Sequence, residues 1–109
     1  MNKKTAIIII GFGSIGKRHY CNLLELGYNN VAVFDPADDA FAGFDGIKRV
    51  KRLNDGVLKS FDVAFICGPN NLHVKQAIMC ARAGCQTFIE KPLSHNLKDV
   101  SKLISILRE

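Results

Sequence analysis

The sequence predicts a doubly wound α/β domain built on a parallel sheet. Three observations lead there. Short apolar, β-branched runs recur along the chain, segments of helical period alternate with them, and a glycine-rich turn follows the first run directly. At 109 residues the chain has the length of one domain.

Residues 5–10 form the first run, continuous rather than alternating, as a parallel strand buried on both faces requires. Ile15, His19, Leu23 and Leu26 follow at spacings of four, four and three, which places them on one face of a helix. Gly27 is positioned to end it. Val31–Phe34 is a second buried strand, stopped at Asp35-Pro36. Across residues 36–60, Asp38, Asp39, Gly43 and Gly46 indicate loops or one short helix, with a short strand near Ile47–Val50. Asp62–Cys67 is a third strong strand, halted by Gly68-Pro69-Asn70-Asn71. Val74, Ala77, Ile78 and Ala81 repeat at helical spacing, and Gly84 closes that helix. Gln86–Ile89 is a fourth strong strand, broken by Pro92. Val100, Leu103, Ile104 and Leu107 predict a last helix, with Asn96 as its N-cap.

Composition narrows the function classes. A hydrophobic share of 48% and a charged share of 23% are those of a globular protein, not a disordered one. The net charge of +5 permits nucleic-acid binding without indicating it. The basic cluster Lys48-Arg49-Val50-Lys51-Arg52 carries no interleaved aromatic residues on which bases could stack, so it reads as a solvated strand or loop. Cys21, Cys67, Cys80 and Cys85 show no metal-ligand spacing and sit in apolar stretches, where they read as reduced, buried thiols. The start of the chain, basic and then apolar, is too short and too soon interrupted by glycine for a signal peptide. No run approaches the ~18 apolar residues of a membrane span. The expectation is a soluble cytoplasmic protein with no nucleic-acid or membrane partner and no metal.

Directly after the first strand stands Gly11-Phe12-Gly13-Ser14-Ile15-Gly16, a G-x-G-x-x-G sequence. Alone it is a weak signal. Here it follows a buried strand, opens an amphipathic helix, and has an acidic residue, Asp35, at the end of the next strand, nineteen residues beyond Gly16. Together these meet the dinucleotide-binding fingerprint of a Rossmann fold. Gly11 permits the tight turn, Gly13 lets backbone N–H groups approach a pyrophosphate, and Gly16 lets the helix pack closely. The helix N-terminus attracts the anion, and Phe12, Ser14 and Ile15 complete the cradle. S-adenosylmethionine enzymes share a glycine-rich first loop and an acid after the second strand, but rarely the third glycine. Asp35 reads as the anchor for the adenosine ribose hydroxyls. Its charge opposes the 2′-phosphate of NADP, so NAD is the expected cofactor, with NADP still open to rescue by nearby Lys or Arg. A turn aspartate ahead of Pro36 is the plainer alternative.

Two further motifs end strands: Gly68-Pro69-Asn70-Asn71-Leu72-His73 and Glu90-Lys91-Pro92-Leu93. With the glycine turn, they resemble the T-P-N-x-x-H loop and E-K-P motif of the Gfo/Idh/MocA oxidoreductases. The resemblance spans Ile7 to about Val100. It implies that Cys67, Gly68, Pro69, Asn70 and His73 flank the cofactor, although His73 reads equally as a residue that merely starts a helix. It implies that Glu90 and Pro92 shape a turn, with Lys91–Pro92 a candidate cis peptide. It also implies that Lys91 lies near the nicotinamide and assists proton movement as the catalytic residue. Gly68 departs from the family's threonine. His19 reads as a packing or helix-surface residue.

The resemblance further implies a larger substrate domain beyond Glu109, so residues 1–109 read as a single, truncated dinucleotide-binding domain. The expected activity is NAD(P)-dependent hydride transfer on a sugar, polyol or related hydroxyl compound in the full-length protein. This chain is expected to bind the cofactor without turnover, and to self-associate through uncovered apolar surface or form a homo-oligomer. A free-standing NAD(H)-sensing module is the alternative; it would have no use for the lysine of the E-K-P motif.

Overall fold

Isoleucine at four consecutive positions makes β1, Ile7–Ile10, and all four side chains are fully buried. A strand can bury both faces only between two neighbours in the centre of a covered sheet. The computed structural model, which describes residues 3–68 and 72–89, shows that arrangement. β1 pairs in parallel with β2, Val31–Phe34, on one side and with β4, Val63–Ile66, on the other. β3, Lys48–Val50, extends the sheet beyond β2, and β5, Gln86–Ile89, extends it beyond β4. The order is β3-β2-β1-β4-β5, all parallel. The chain reverses its direction of winding at β1 and β4, where open α/β sheets leave a crevice at the carboxyl ends of the strands.

Successive residues of a strand point to opposite faces, and the sheet accordingly divides the core in two. On one face Ile8, Ile10, Ala32, Ala64 and Ile66 pack with Leu58, Val74, Ala77, Ile78 and Cys80. These come from α2, Asp55–Leu58, and α3, His73–Arg82. On the other face Ile7, Ile9, Val31, Val33 and Val63 pack with Phe12 and with Leu23 of α1, Ser14–Glu25. Both α1 and α3 end as the glycines predict. Past α1, Tyr28 N–H donates to Leu23 O and Gly27 N–H to Leu24 O; past α3, Cys85 N–H donates to Cys80 O and Gly84 N–H to Ala81 O.

The face that α1 turns inward differs from the expected one. Ile15 and Leu26 are 44% and 62% exposed, whereas Gly16 and Leu23 are buried and Tyr20 half-buried. The helix lies so close to the turn before it that only a residue without a side chain fits against the sheet. The contact line therefore runs Gly16, Tyr20, Leu23, with His19 beside it against Phe65.

Residues 36–60 hold a 3-10 turn at Asp38–Phe41, the short β3, and α2. Asn54 caps α2 by accepting from Val57 N–H at 2.9 Å. Of the thiols, Cys80 and Cys85 are buried, Cys67 is half-buried, and Cys21 is exposed on the outer side of α1, against expectation. Among the described residues no helix is long and apolar enough to cross a membrane. The last expected helix, its N-cap Asn96 and the Lys91–Pro92 bond lie outside the described residues.

Candidate functional site

The carboxyl ends of β1, β2 and β4 meet in one place. Gly11 follows β1 with φ +99°, a backbone conformation that strains any side chain. A Cβ there would lie 2.4 Å from Gly68 Cα. The turn after β1 and the end of β4 thus touch backbone to backbone. Gly16 has a different reason for lacking a side chain: its Cβ would sit 2.0 Å from Gly11 O. Glycine at 16 lets the first turn of α1 rest on the loop that feeds it.

Gly13 is different again. A Cβ there would meet nothing within 4 Å. Gly13 is the N-cap of α1, no side chain caps the helix, and no acidic residue lies in its first turn. The first N–H groups of a helix have no intrahelical acceptor, and the helix dipole adds partial positive charge there. Gly13, Ser14 and Ile15 are exposed, so this end of α1 is open to an anion. Phe12 faces the other way. Its ring is fully buried, stacked on Phe41 at 5.3 Å and edge-on to Tyr20 and Phe44.

Asp35 follows β2 and is tied to that turn. Its Oδ2 accepts from Phe12 N–H at 2.8 Å and its Oδ1 from Ala37 N–H at 2.8 Å. Two backbone donors fix the carboxylate, and each oxygen keeps a lone pair for another donor. Phe12 therefore serves the site from within: its N–H orients Asp35 and its ring anchors the loop in the core.

Two hollows share the wall Phe34-Asp35-Pro36. One, about 480 Å³, is completed by Asp38, Arg49 and Lys51. Arg49 donates from Nη2 to Asp35 O at 3.1 Å, pairs with Asp38 at 2.8 Å, and lies over the Phe41 ring at 4.3 Å. The other hollow, about 320 Å³, is completed by Gly11, Gly68, Leu72 and Gln76. Cys67, whose backbone adjoins Gly11, lines a third, smaller hollow with His19, Phe65, Phe88 and Ile89.

His73 opens α3 and is buried at 1% exposure. Its Nε2 donates to Gly68 O at 2.5 Å, which ties the start of α3 to the end of β4. Pro69, Asn70, Glu90, Lys91 and Pro92 lie outside the described residues. The structure thus brings Gly11, Gly13, Ser14, Ile15, Gly16, Asp35 and Gly68 to one edge, with Phe12 and His73 holding it from beneath. Sequence reading missed Arg49 and Gln76. Arg49 was legible in principle, since β3 runs parallel to β2 with Val50 opposite Phe34, which carries the basic cluster past Asp35. Gln76 carries no sequence signal; only the packing of α3 places it there.

Known proteins share this fold. Myo-inositol 2-dehydrogenase of Thermotoga maritima is 30% identical over 102 residues, 88% of this chain and 30% of its own length. The crystal structure of a probable dehydrogenase from Thermotoga maritima superposes with a TM-score of 0.81 at 30% identity, covering 94% of this chain and 32% of that one. That of myo-inositol 2-dehydrogenase from Lactobacillus plantarum gives a TM-score of 0.83 at 24% identity, over 96% and 33%. The chain spans about a third of the length of the relatives it matches. Residues 5–109 match the Gfo/Idh/MocA family, described as an oxidoreductase family with an NAD-binding Rossmann fold, and the chain belongs to that family.

Proposed function

We propose that residues 1–109 form a single domain that binds NAD(H) in preference to NADP(H). It would serve an oxidoreductase moving hydride to or from a hydroxyl of a sugar, polyol or related compound. The observation that carries this reading is the link between the glycine turn and Asp35. A carboxylate oriented by Phe12 N–H stands beside the uncapped start of α1. A pyrophosphate requires that kind of helix end, and an adjoining ribose requires that kind of acceptor.

The residues fit the group. The space over Gly13 is clear of protein atoms, and the hollows on either side of Asp35 are large enough for parts of a nucleotide. The N–H groups of Gly13 to Gly16 would hold the pyrophosphate, with the Ser14 hydroxyl adding a contact. Asp35 would hold the ribose hydroxyls. Arg49 already pairs with Asp38 and with the Asp35 carbonyl, and the Asp35 carboxylate is the group assigned to oppose a 2′-phosphate. When bound, the dinucleotide supplies a hydride-accepting ring. Lys91, in the segment after β5, is the residue assigned to the proton that alcohol oxidation leaves behind. Cys67, Gly68, Pro69, Asn70, Glu90 and Pro92 complete the proposed surroundings of the cofactor.

A polyhydroxylated substrate is supported by the inositol dehydrogenases among the relatives. Binding rather than turnover is assigned to these 109 residues. Fixing a substrate beside the cofactor accounts for about 7–11 kcal/mol of a barrier, and the matched relatives are roughly three times as long.

Calorimetric titration with NADH and NADPH tests the reading. NADH should bind more tightly. Asp35→Asn keeps an acceptor for only one of Phe12 N–H and Ala37 N–H and exchanges a charged for a neutral hydrogen bond to the ribose, a loss of at least about 1–1.5 kcal/mol or roughly tenfold in Kd for NADH, while narrowing the gap to NADPH. Tighter binding of NADPH by the unaltered protein would reject the assignment of Asp35.

A further inference from the structure

Gln76 stands one turn into α3 and lines the hollow that also holds Asp35. Its Oε1 is buried, yet it has no hydrogen-bond partner among the described residues. A buried carbonyl without a donor is costly to leave so and calls for an explanation. The amide lies against Gly68, where a Cβ would be 3.4 Å from Oε1 and 3.8 Å from Nε2. The carboxamide thus lies in van der Waals reach of position 68 at that end of the hollow. Phe34, Pro36 and Leu72 make its other walls apolar.

We propose that Gln76, with its carboxamide turned into the hollow, reads the base of the bound adenine dinucleotide, accepting from the exocyclic amine and donating to N7. The inference rests on the reading of the chain as an NAD(H)-binding domain. With the ribose held at Asp35, the base attached to that sugar must enter one of the two hollows sharing the Asp35 wall. The hollow with Asp38, Arg49 and Lys51 is charged; the one with Gln76 is apolar. An uncharged, flat heterocycle belongs in the apolar one. A carboxamide presents one acceptor and one donor side by side, and the two exchange places by a half-turn of the terminal torsion. Adenine presents the complementary donor and acceptor along its edge. On that same edge hypoxanthine presents O6 and N7, two acceptors, and no orientation of the amide pairs with both as it does with adenine; its N1–H donor lies on the other edge.

The test compares NADH with reduced nicotinamide hypoxanthine dinucleotide, which differs only in the base, by calorimetry on the full chain. The unaltered protein is expected to prefer NADH by about tenfold or more. Gln76→Met, which keeps the length of the side chain and removes the amide, is expected to bring the ratio of the two Kd values close to one. Because that change also deletes a buried carbonyl without a partner, its stability in urea should equal or exceed that of the unaltered chain. Equal affinity of the unaltered protein for the two ligands overturns the assignment to Gln76 and leaves the cofactor reading standing. An unchanged ratio in folded Gln76→Met does the same. Failure to bind either dinucleotide overturns both.

Discussion

Two glycines three positions apart in the same turn should fail in different assays when each is changed to alanine. At Gly16 the added methyl would lie 2.0 Å from Gly11 O and 3.1 Å from Gly11 C, both backbone atoms that cannot swing aside. An ordinary contact would be restored only if α1 withdrew by more than about 1 Å. Overpacking of this kind costs about 3 kcal/mol at the upper end of its usual range, and alanine's better helix propensity returns at most about 1 kcal/mol. A net loss near 2 kcal/mol is expected, read as a lower urea midpoint by circular dichroism. At Gly13 nothing lies within 4 Å of the new methyl and φ is −79°, open to any residue. The cost there is that of a poorer N-cap, about 1 kcal/mol or less. Its methyl would instead occupy the space over the free N–H groups of α1. Losing one charge-assisted hydrogen bond to a phosphate weakens NADH binding by about 1.5–3 kcal/mol, at least tenfold in Kd by calorimetry. The reasoning is refuted if folded Gly13→Ala binds NADH like the unaltered protein, or if Gly16→Ala is as stable as it.

Three further outcomes follow from the structure. Burial pushes the Cys80 thiol up to about 12, with Cys85 adding to the effect, and burial followed by Asp62 raises Cys85. Both folded-state values lie above their unfolded ones, so the stability they confer is complete below about pH 9 and lost as pH rises towards 12; Cys80→Ala should flatten that decline in urea midpoints. At pH 8 a water-soluble disulfide reagent should modify exposed Cys21 promptly and reach Cys80 and Cys85 only on unfolding; early modification of Cys80 would contradict the packing of α3. Phe88 is 45% exposed and stacks on Phe65 at 5.1 Å beside the sheet edge at β5. This apolar surface supports the proposed self-association, so Phe88→Ser should lower the mass measured by light scattering at high concentration. A clean monomer of the unaltered chain would remove the basis for that proposal.

What could be read in advance followed from which physical constraint acted on each residue. The central strands were legible because burial on both faces demands uninterrupted apolar runs, and β2 occupies the predicted residues; β5, at the end of the strand order, does so as well without being buried. The helix ends were legible because glycine terminates both helices by the same backbone hydrogen bonds. The inward face of α1 was misread because apolar spacing cannot register a glycine as a contact residue. Ile15 and Leu26 completed a stripe on paper that the close packing at Gly16 rotates outwards. Residues 36–60 resisted reading because their elements are only three or four residues long and β3 is an edge strand with little to bury. The Asn54-Asp55 start of α2 was the one local signal left unused. At the candidate site, the meeting of Asp35 with the three glycines was legible, since the backbone geometry of a turn between a buried strand and a helix restricts positions 11 and 16 to glycine, and the end of the next strand lies beside that turn. Gln76 and the pairing of Arg49 depend on which elements the fold brings beside Asp35. His73, open between helix start and ligand contact, starts α3 with its ring turned inward onto Gly68 O.

The most direct measurement is an amide-resolved magnetic resonance titration of the isotopically labelled chain with NADH. Saturable shifts should appear first in the amides of Gly13, Ser14, Ile15 and Gly16 and at Asp35, with the far ends of α1 and α3 little changed. No saturable shift at millimolar NADH in folded protein, or shifts confined to residues away from that turn, would contradict the account.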